Sequence, residues 1–137
     1  MNKIRCVTVC IMSLLVFGLT ACAGSSGDAV LEGTTWELVK LGAALPLTGT
    51  TLTINFEDGT ASGSAGCNSY SGEYQLDGEN LTFGMIASTL MACLEPGVME
   101  QESAYLAFLQ QVTSHTILDG FLYIYDEDDS ALKFKPQ

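Results

Sequence analysis

The sequence is poor in positive charge. Its 137 residues include five lysines and arginines against 16 acids, which gives a net charge of −11. Beyond residue 21 the basic residues are Lys40, Lys133 and Lys135, and there is no arginine. A leader ending at residue 21 would remove Lys3 and Arg5 but no acid, and the net charge would then be −13. Nucleic acids attract cationic surfaces, so this balance argues against a nucleic-acid partner and favours a role for the acidity in solubility.

The sequence also has little of what catalytic sites need. His115 is the single histidine, and no neighbouring motif indicates a serine or carboxylate partner for it. A phosphate-binding loop, a dinucleotide fingerprint and a zinc-protease helix are all missing from the sequence. The chain is therefore predicted to be no enzyme, with no catalytic residue, no cofactor and no metal. Hydrolysis at His115 is kept only as an alternative.

The longest apolar run, Val7 to Phe17, is shorter than the roughly 20 residues that cross a bilayer as a helix. It follows two basic residues and precedes Leu-Thr-Ala-Cys at 19–22, which is the order of a signal peptide. Those four residues resemble the bacterial lipobox, where a signal peptidase cuts before a lipid-modified cysteine. The resemblance implies a lipoprotein signal peptide at residues 1–21 and lipidation of Cys22. The alternative is an ordinary secretory signal followed by a chance cysteine.

Lipidation would determine where the protein is located. Two or more acyl chains, such as palmitate, give lasting membrane attachment without help from charge. Residues 22–30 are then expected to be the lipidated cysteine and a flexible, Gly/Ser-containing tether. We expect an exported protein that is anchored to the cell membrane through Cys22. In a cell with two membranes, the resemblance to bacterial lipoproteins implies the periplasmic side of the outer membrane, because Ala23 replaces the aspartate typical of inner-membrane retention.

Residues 31–137 are long enough for one domain with a single core. Short alternating segments are separated by turn residues, and three of the turns contain Asp-Gly at 58–59, 77–78 and 119–120. Asp-Gly between alternating segments is a strong hairpin signal. The pattern predicts a mainly β fold, in the form of a small antiparallel, barrel-like domain.

One segment has helical rather than strand periodicity. Pro96 suits a first helical turn, and apolar residues follow at Tyr105, Phe108, Leu109 and Val112. These positions are spaced i, i+3, i+4 and i+7, and Gln101 lies opposite them. We expect a single helix whose apolar stripe packs on the sheet.

Cys67 and Cys93 are the cysteines that remain after the leader and Cys22. In an oxidising compartment an even pair favours a disulfide. Such a bond would close a loop of about 27 residues and stabilise the fold by about 3.5 kcal/mol. Two alternatives stay open, namely two separate buried thiols and a metal site completed by His115.

The acidic turn at Asp126 to Asp129 is a candidate calcium site, because carboxylates are crowded within a few residues. It lacks the central glycine and the terminal glutamate of the EF-hand loop. A solvent-exposed hairpin tip is the preferred interpretation.

Several motifs in order resemble the META domain family, also called HslJ-like heat-shock proteins. They are Gly-Thr-Thr-Trp at 33–36, Gly-Cys-Asn at 66–68, and Ile-Ala-Ser-Thr-Leu-Met-Ala-Cys at 86–93. The acidic helix start at 99–102 follows. The resemblance covers essentially residues 31–137. It implies a compact β-rich domain with one helix and an envelope role, with links in some members to heat shock, antibiotic tolerance or secretion.

No enzymatic activity or ligand comes with this resemblance. Its motif residues are expected to be structural, at Trp36, Gly66, Cys67, Asn68, Tyr70, Gly72, Tyr74, Thr89, Met91 and Cys93. The sequence therefore predicts a cell-envelope lipoprotein with a non-catalytic, monomeric module that supports envelope integrity or stress tolerance through an unknown protein partner. The alternative is a carrier that holds an apolar ligand, such as an acyl chain, inside the barrel.

Overall fold

A computed structural model describes residues 31–137, which form nine strands and one helix. The predicted signal peptide at 1–21, the lipidation of Cys22 and the tether at 22–30 lie outside the described residues. The strands are β1 (Thr34–Leu41), β2 (Thr53–Glu57), β3 (Thr60–Ser64), β4 (Ser69–Asp77), β5 (Asn80–Phe83), β6 (Ala87–Ser88), β7 (Val112–Leu118), β8 (Phe121–Asp126) and β9 (Ala131–Pro136). The helix α1 (Val98–Leu109) lies between β6 and β7.

Eight of the strands close into an antiparallel barrel. Their order is β3-β2-β1-β9-β8-β7-β5-β4, and the pairing of β3 with β4 completes the circle. The short β6 pairs with the start of β4, on the same side as β5. Full closure removes the open sheet edges through which small β proteins aggregate. The predicted class, a mainly β, barrel-like domain with one helix, is confirmed.

Two of the three Asp-Gly pairs form the hairpin turns that the sequence predicts. Asp58-Gly59 and Asp119-Gly120 each have positive φ at both residues, the backbone of a type I′ turn. The third hairpin is shifted by one residue, because β4 continues through Asp77 and the turn is Gly78-Glu79. Short turns of this kind explain why neighbours in sequence are mostly neighbours in the barrel.

The core fills the interior of the barrel. Strand alternation directs Ile54 and Phe56 of β2, and Leu122 and Ile124 of β8, inward with no exposed surface. Phe56 is packed edge-on against Tyr74, with ring centroids 5.0 Å apart. The other large side chains that are fully buried are Leu31, Leu52, Leu81, Tyr105, Leu109, Leu132 and Phe134.

The helix covers the barrel end where β2 and β4 begin. It starts after Gly97, whose φ of 84° is left-handed, and it ends at Leu109. The predicted stripe is therefore wrong at its last member, because Val112 opens β7 instead. The buried helical residues are Val98, Gln101, Glu102, Tyr105 and Leu109. In residues 31–137 no helix is long and apolar enough to cross a membrane.

Candidate functional site: a clamped apolar loop

The motif residues gather where β3 passes into β4. There a disulfide joins Cys67 to Cys93 across 6.0 Å between Cα atoms. The bond agrees with the preferred prediction and excludes both separate thiols and a metal site at these cysteines. It fastens residues 84–95, which we call the apolar loop, to the barrel. Within this loop only Ala87–Ser88 forms a strand.

Asn68, which follows the disulfide-bonded Cys67, holds the apolar loop through hydrogen bonds of its side chain. Its side-chain oxygen accepts hydrogen bonds from the Met91 backbone N–H and the Thr89 hydroxyl, both at 2.7 Å. Its amide nitrogen donates to the Met91 carbonyl at 3.0 Å and to Glu102 Oε1 at 2.6 Å. Asn68 is buried, and its loss would take away the side-chain partner of both Met91 backbone groups and one of the three N–H donors to Glu102. The asparagine is thus a polar bridge between β4, the loop and the helix.

Glu102 completes this bridge from the helix side. Its carboxylate accepts N–H groups from the Cys67 backbone at 3.1 Å and the Asn68 backbone at 2.6 Å, besides the Asn68 amide. The side chain is only 4 % exposed. Three convergent N–H donors replace the water that a buried carboxylate loses. The sequence indicated an acidic first turn but missed this role.

Gln101 holds the loop between β1 and β2 in the same way. Its side-chain oxygen accepts the Leu47 N–H at 2.6 Å, and its nitrogen donates to the Thr50 hydroxyl at 3.0 Å. The prediction that Gln101 faces away from the barrel is therefore wrong, because its amide is needed to satisfy loop backbone. Gly66 faces this amide with a φ of 112°, a conformation that suits glycine.

Tyr70 and Tyr105 form a buried pair beneath the helix. Their hydroxyl oxygens are 2.8 Å apart, and Tyr70 donates to the Thr53 carbonyl at 2.9 Å. Burial raises the pKa of the Tyr70 phenol well above its usual range, and burial beside Tyr70 does the same to the pKa of Tyr105. Neutral phenols that donate and accept hydrogen bonds fit a structural role.

Tyr74 and Gly72 act elsewhere on β4. Tyr74 donates its hydroxyl to the Glu32 carboxylate, and burial together with that carboxylate raises the pKa of Tyr74 to about 12. The Tyr74 hydroxyl and the Asp58 N–H hold the pKa of Glu32 below its usual range. At Gly72 a Cβ atom would lie 2.9 Å from the Met85 carbonyl oxygen. Glycine there lets the apolar loop rest directly on the β4 backbone.

Trp36 remains from the predicted motif set. It is buried in β1, and its indole N–H donates to the Thr34 hydroxyl at 2.7 Å. Like Asn68 and Tyr70, it is explained by packing and hydrogen bonding.

The outer surface of the apolar loop is the feature that packing does not explain. Leu90 is 96 % exposed, Leu94 is 92 % exposed, and the motif residue Met91 is 58 % exposed. Met85 is also exposed, and no charged residue occurs from Gly84 to Leu94. Exposed apolar residues grouped on one segment mark an interaction surface, whereas single ones need no explanation.

His115 lies apart from this site. It belongs to β7, is 3 % exposed, and places Nδ1 3.1 Å from the Glu79 carbonyl oxygen. The β7 backbone N–H of the same residue donates to the same carbonyl at 2.9 Å. This arrangement joins β7 to the β4–β5 turn, and it gives the imidazole no nucleophile to activate among the described residues.

The acidic turn is held by the side chain of Asp126. Asp126 Oδ1 accepts the N–H groups of Asp128 at 3.0 Å and Ser130 at 2.8 Å. Within residues 31–137 no three acidic, histidine or cysteine side chains are grouped to hold a metal ion. The hydrogen bonds support the interpretation of this turn as a hairpin tip.

The interior offers little support for the carrier alternative. Side chains from β1, β2, β8, β9 and α1 occupy the space inside the barrel, and the core residues are nearly all below 5 % exposed. A carrier needs a cavity of several hundred Å³ lined by apolar groups. Two of the larger surface cavities on the described residues include charged side chains in their lining, Lys40 and Lys133 in one and Glu95 in the other.

Fold and site together define a small, disulfide-bonded antiparallel barrel in which buried polar groups hold an apolar loop in place. The model of the META domain matches residues 29–137 of this chain. The chain therefore belongs to the META domain family, as its motifs indicated. No protein with a curated description matches the sequence.

Several solved structures have a similar fold. An NMR structure of a protein from Burkholderia xenovorans is 28% identical, with a TM-score of 0.67 over 80% of this chain and 86% of its own. A second NMR structure is 22% identical, with a TM-score of 0.65 over 81% and 95% of the two chains. A duf4847 family protein from Bacteroides vulgatus is 15% identical and has a TM-score of 0.58, over 79% of this chain and 95% of its own. The second and third likenesses concern the fold alone.

Proposed function

We propose that this protein is a non-catalytic lipoprotein of the cell envelope that binds an envelope protein through the apolar loop and so supports envelope integrity or stress tolerance. The observation that carries the proposal is the pairing of an exposed apolar surface with a rigid support. Leu90, Met91 and Leu94 face solvent, while the loop backbone is fixed by a disulfide and by Asn68. A loop fixed before binding loses little conformational entropy when a partner docks.

The position of the loop favours a protein partner over the anchoring membrane. Gly33 donates its N–H to the Phe56 carbonyl, so the described chain begins at the end of β2 that leads into the β2–β3 turn. The apolar loop meets the opposite end of the β3–β4 pair, where the Thr89 N–H donates to the Ser69 carbonyl. The anchor predicted at Cys22 therefore precedes the end of the barrel opposite to the loop, and the loop is left accessible to a protein partner.

The surroundings of the loop define the chemistry of the partner. Residues 84–94 of the loop are uncharged, but Glu95 ends the loop, Glu100 lies in the first turn of the helix, and the whole protein carries a net charge of −11. The matching surface is an apolar groove with a neutral or basic rim, because opposite charges steer association and like charges oppose it.

Photo-crosslinking in cells tests the binding surface. A benzophenone amino acid is placed at Leu90, or at Leu118 as a matched control, since Leu118 is an exposed leucine (57 % exposed) on β7, away from the loop. We expect one recurrent adduct in the membrane fraction from position 90, and its loss when Leu94→Asp is added. Equal adducts from both positions would argue against the loop as the docking surface.

A separate experiment tests the anchor. Cells are fed an alkyne-bearing fatty acid, and the protein is compared with its Cys22→Ser variant. We expect label and membrane association in the parent and loss of both in the variant. Unlabelled parent protein in the soluble fraction would contradict the lipoprotein assignment and leave the crosslinking result to be judged by itself.

A further inference from the structure

The three lysines of residues 31–137 all lie on one outer face of the barrel, on β1 and β9. In β9 Leu132 and Phe134 point into the core, so Lys133 and Lys135 point outward. The register of β1 against β9 shifts between Leu38 and Lys40. Without that bulge Lys40 would share the inward face of Leu38. A bulge that re-aims a side chain is a feature that needs an explanation.

The bulge places two positively charged side chains in directly opposed positions on neighbouring strands. Lys40 is the direct cross-strand partner of Lys133, and Lys133 is the partner of Tyr123 on β8. Like charges in directly opposed positions destabilise a sheet. In the described part of the chain neither lysine has a salt-bridge partner, whereas Lys135 is paired with Glu37 at 3.1 Å. The domain therefore keeps a cation pair that no acid of residues 31–137 neutralises in a salt bridge, although acids outnumber lysines there.

A surface cavity of about 470 Å³ lies over this pair. Its wall includes both ammonium-bearing side chains, Tyr123, Ser130 and the chain at Gly42 and Ala43, and it contains no acid. The Lys133 ammonium is held in position by aromatic rings, 3.9 Å from the Phe121 centroid and 5.3 Å from that of Tyr123. The volume falls within the range of small-molecule sites.

We propose that this cavity binds a small oxyanion, a phosphate or carboxylate group carried on a polar molecule up to about the size of a sugar. Lys40 and Lys133 would supply the charge, and the Ser130 and Tyr123 hydroxyls would supply further donors. Large polyanions do not fit, because nucleic acid or an anionic membrane would meet the net negative charge of the whole protein. A small ligand experiences mainly the two nearby cations.

NMR titration of the full-length, ¹⁵N-labelled protein in neutral detergent tests the site. The probes are glucose 6-phosphate, inorganic phosphate and glucose. We expect the phosphate-bearing probes to shift the amides of Gly42, Ser130 and Ala131 saturably, and glucose to leave them unchanged. Equal affinity for the two phosphates would show recognition of the oxyanion alone, and tighter binding of the sugar phosphate would show that the cavity also contacts the sugar. Either result supports the proposal.

Matched variants assign the effect to the cation pair. We expect Lys40→Gln and Lys133→Gln each to weaken binding about tenfold, the loss of one charged hydrogen bond. Lys135→Gln, on the same face but already paired with Glu37, should bind like the parent. The proposal fails if all three variants weaken binding equally, or if glucose causes the same shifts as its phosphate.

The acidic turn beside the cavity gives an independent check. Asp128 and Asp129 are exposed near Ser130, and their charge opposes an incoming anion. The double variant Asp128→Asn/Asp129→Asn should therefore bind the sugar phosphate more tightly, and unchanged or weaker binding would count against an oxyanion. Binding to vesicles of phosphatidylglycerol should be the same for the parent and for the Lys40→Gln and Lys133→Gln variants, because attachment then comes from the lipid anchor. Binding of vesicles that depends on Lys40 and Lys133 would overturn the small-ligand proposal in favour of a lipid surface.

Discussion

Asn68 makes four side-chain hydrogen bonds where β3 passes into β4, one more than Glu102 makes there. It bonds both backbone groups of Met91, the Thr89 hydroxyl and the Glu102 carboxylate. An alanine at this position makes none of these bonds, and the groups left behind are partly or wholly buried. Each buried group without a partner costs about 1–3 kcal/mol.

We predict that Asn68→Ala lowers the free energy of unfolding by about 3 kcal/mol. Urea unfolding followed by the fluorescence of Trp36, the single tryptophan, measures the change. Asn80→Ala is the control, because Asn80 is exposed at the start of β5. A loss below about 1 kcal/mol for Asn68→Ala would mean that water replaces the amide without difficulty.

Gly63 is subject to a steric constraint. A Cβ atom on Gly63 would lie 2.1 Å from the Thr53 carbonyl oxygen, which is a backbone atom that cannot turn aside. We predict that Gly63→Ala costs more than about 3 kcal/mol or prevents folding. Gly84→Ala is the matched control, because its added Cβ finds its nearest atom at 3.6 Å. Equal melting temperatures of the two variants would contradict the described approach of β2 and β3.

At the scale of elements, the apolar loop is held in two separate ways. The disulfide closes a chain segment with a sequence separation of 26, and Asn68 with Glu102 bonds the same region without a covalent link. We predict that the Cys67→Ser/Cys93→Ser double variant loses about 3.5 kcal/mol but stays folded, because the barrel core does not depend on the loop. Urea unfolding measures the loss.

The same variant separates the covalent constraint from the polar one. If Asn68 still holds the loop, hydrogen exchange at the amides of Thr89 and Met91 should rise only moderately in the absence of the disulfide. Adding Asn68→Ala should raise it to the rate of exposed chain. Full exchange in the cysteine variant alone would show that the asparagine bridge forms only when the disulfide is present.

The helix shows where a sequence pattern misleads. Its hydrophobic spacing predicted Val112 on the buried stripe and Gln101 opposite, yet Val112 begins β7 and Gln101 is buried. A periodicity argument counts apolar residues and ignores polar ones that are needed to satisfy loop backbone. The buried residues at 98, 101, 102, 105 and 109 do have helical spacing, but two of them are polar. Gln101 and Glu102 are buried because their side chains accept the backbone N–H groups of Leu47 and Cys67, which are remote in sequence.

At the scale of the whole molecule, the barrel was predictable because local rules agreed with the global fold. Alternation in β1, β2, β8 and β9 and Asp-Gly at the hairpins predict antiparallel neighbours. The order that closes the barrel depends on contacts remote in sequence, such as β1 with β9, which no local pattern encodes. The same is true of the candidate sites. The exposure of Leu90 depends on how the disulfide and Asn68 hold the loop, and the opposition of Lys40 and Lys133 depends on a bulge.

The free energy of unfolding of the whole barrel should vary with pH through the phenols of three tyrosines. Burial raises the pKa of Tyr70 and of Tyr105 well above the usual value, and burial together with Glu32 raises that of Tyr74 to about 12. Below about pH 10 these phenols are protonated in both states, so their contribution to stability is complete. Above it the unfolded chain loses protons first, and the free energy of unfolding must fall as the pH rises toward about 12.

Urea unfolding by far-ultraviolet circular dichroism between about pH 8 and pH 11 measures this decline. We expect a flat profile up to about pH 10 and a steep loss beyond it. Tyr105→Phe removes one of the three protons and should reduce the slope above pH 10, although it also lowers stability at every pH by the loss of the hydroxyl contact to Tyr70. A parent profile that stays flat to pH 11, or a variant slope equal to that of the parent, would show that these phenols ionise alike in the folded and unfolded chain.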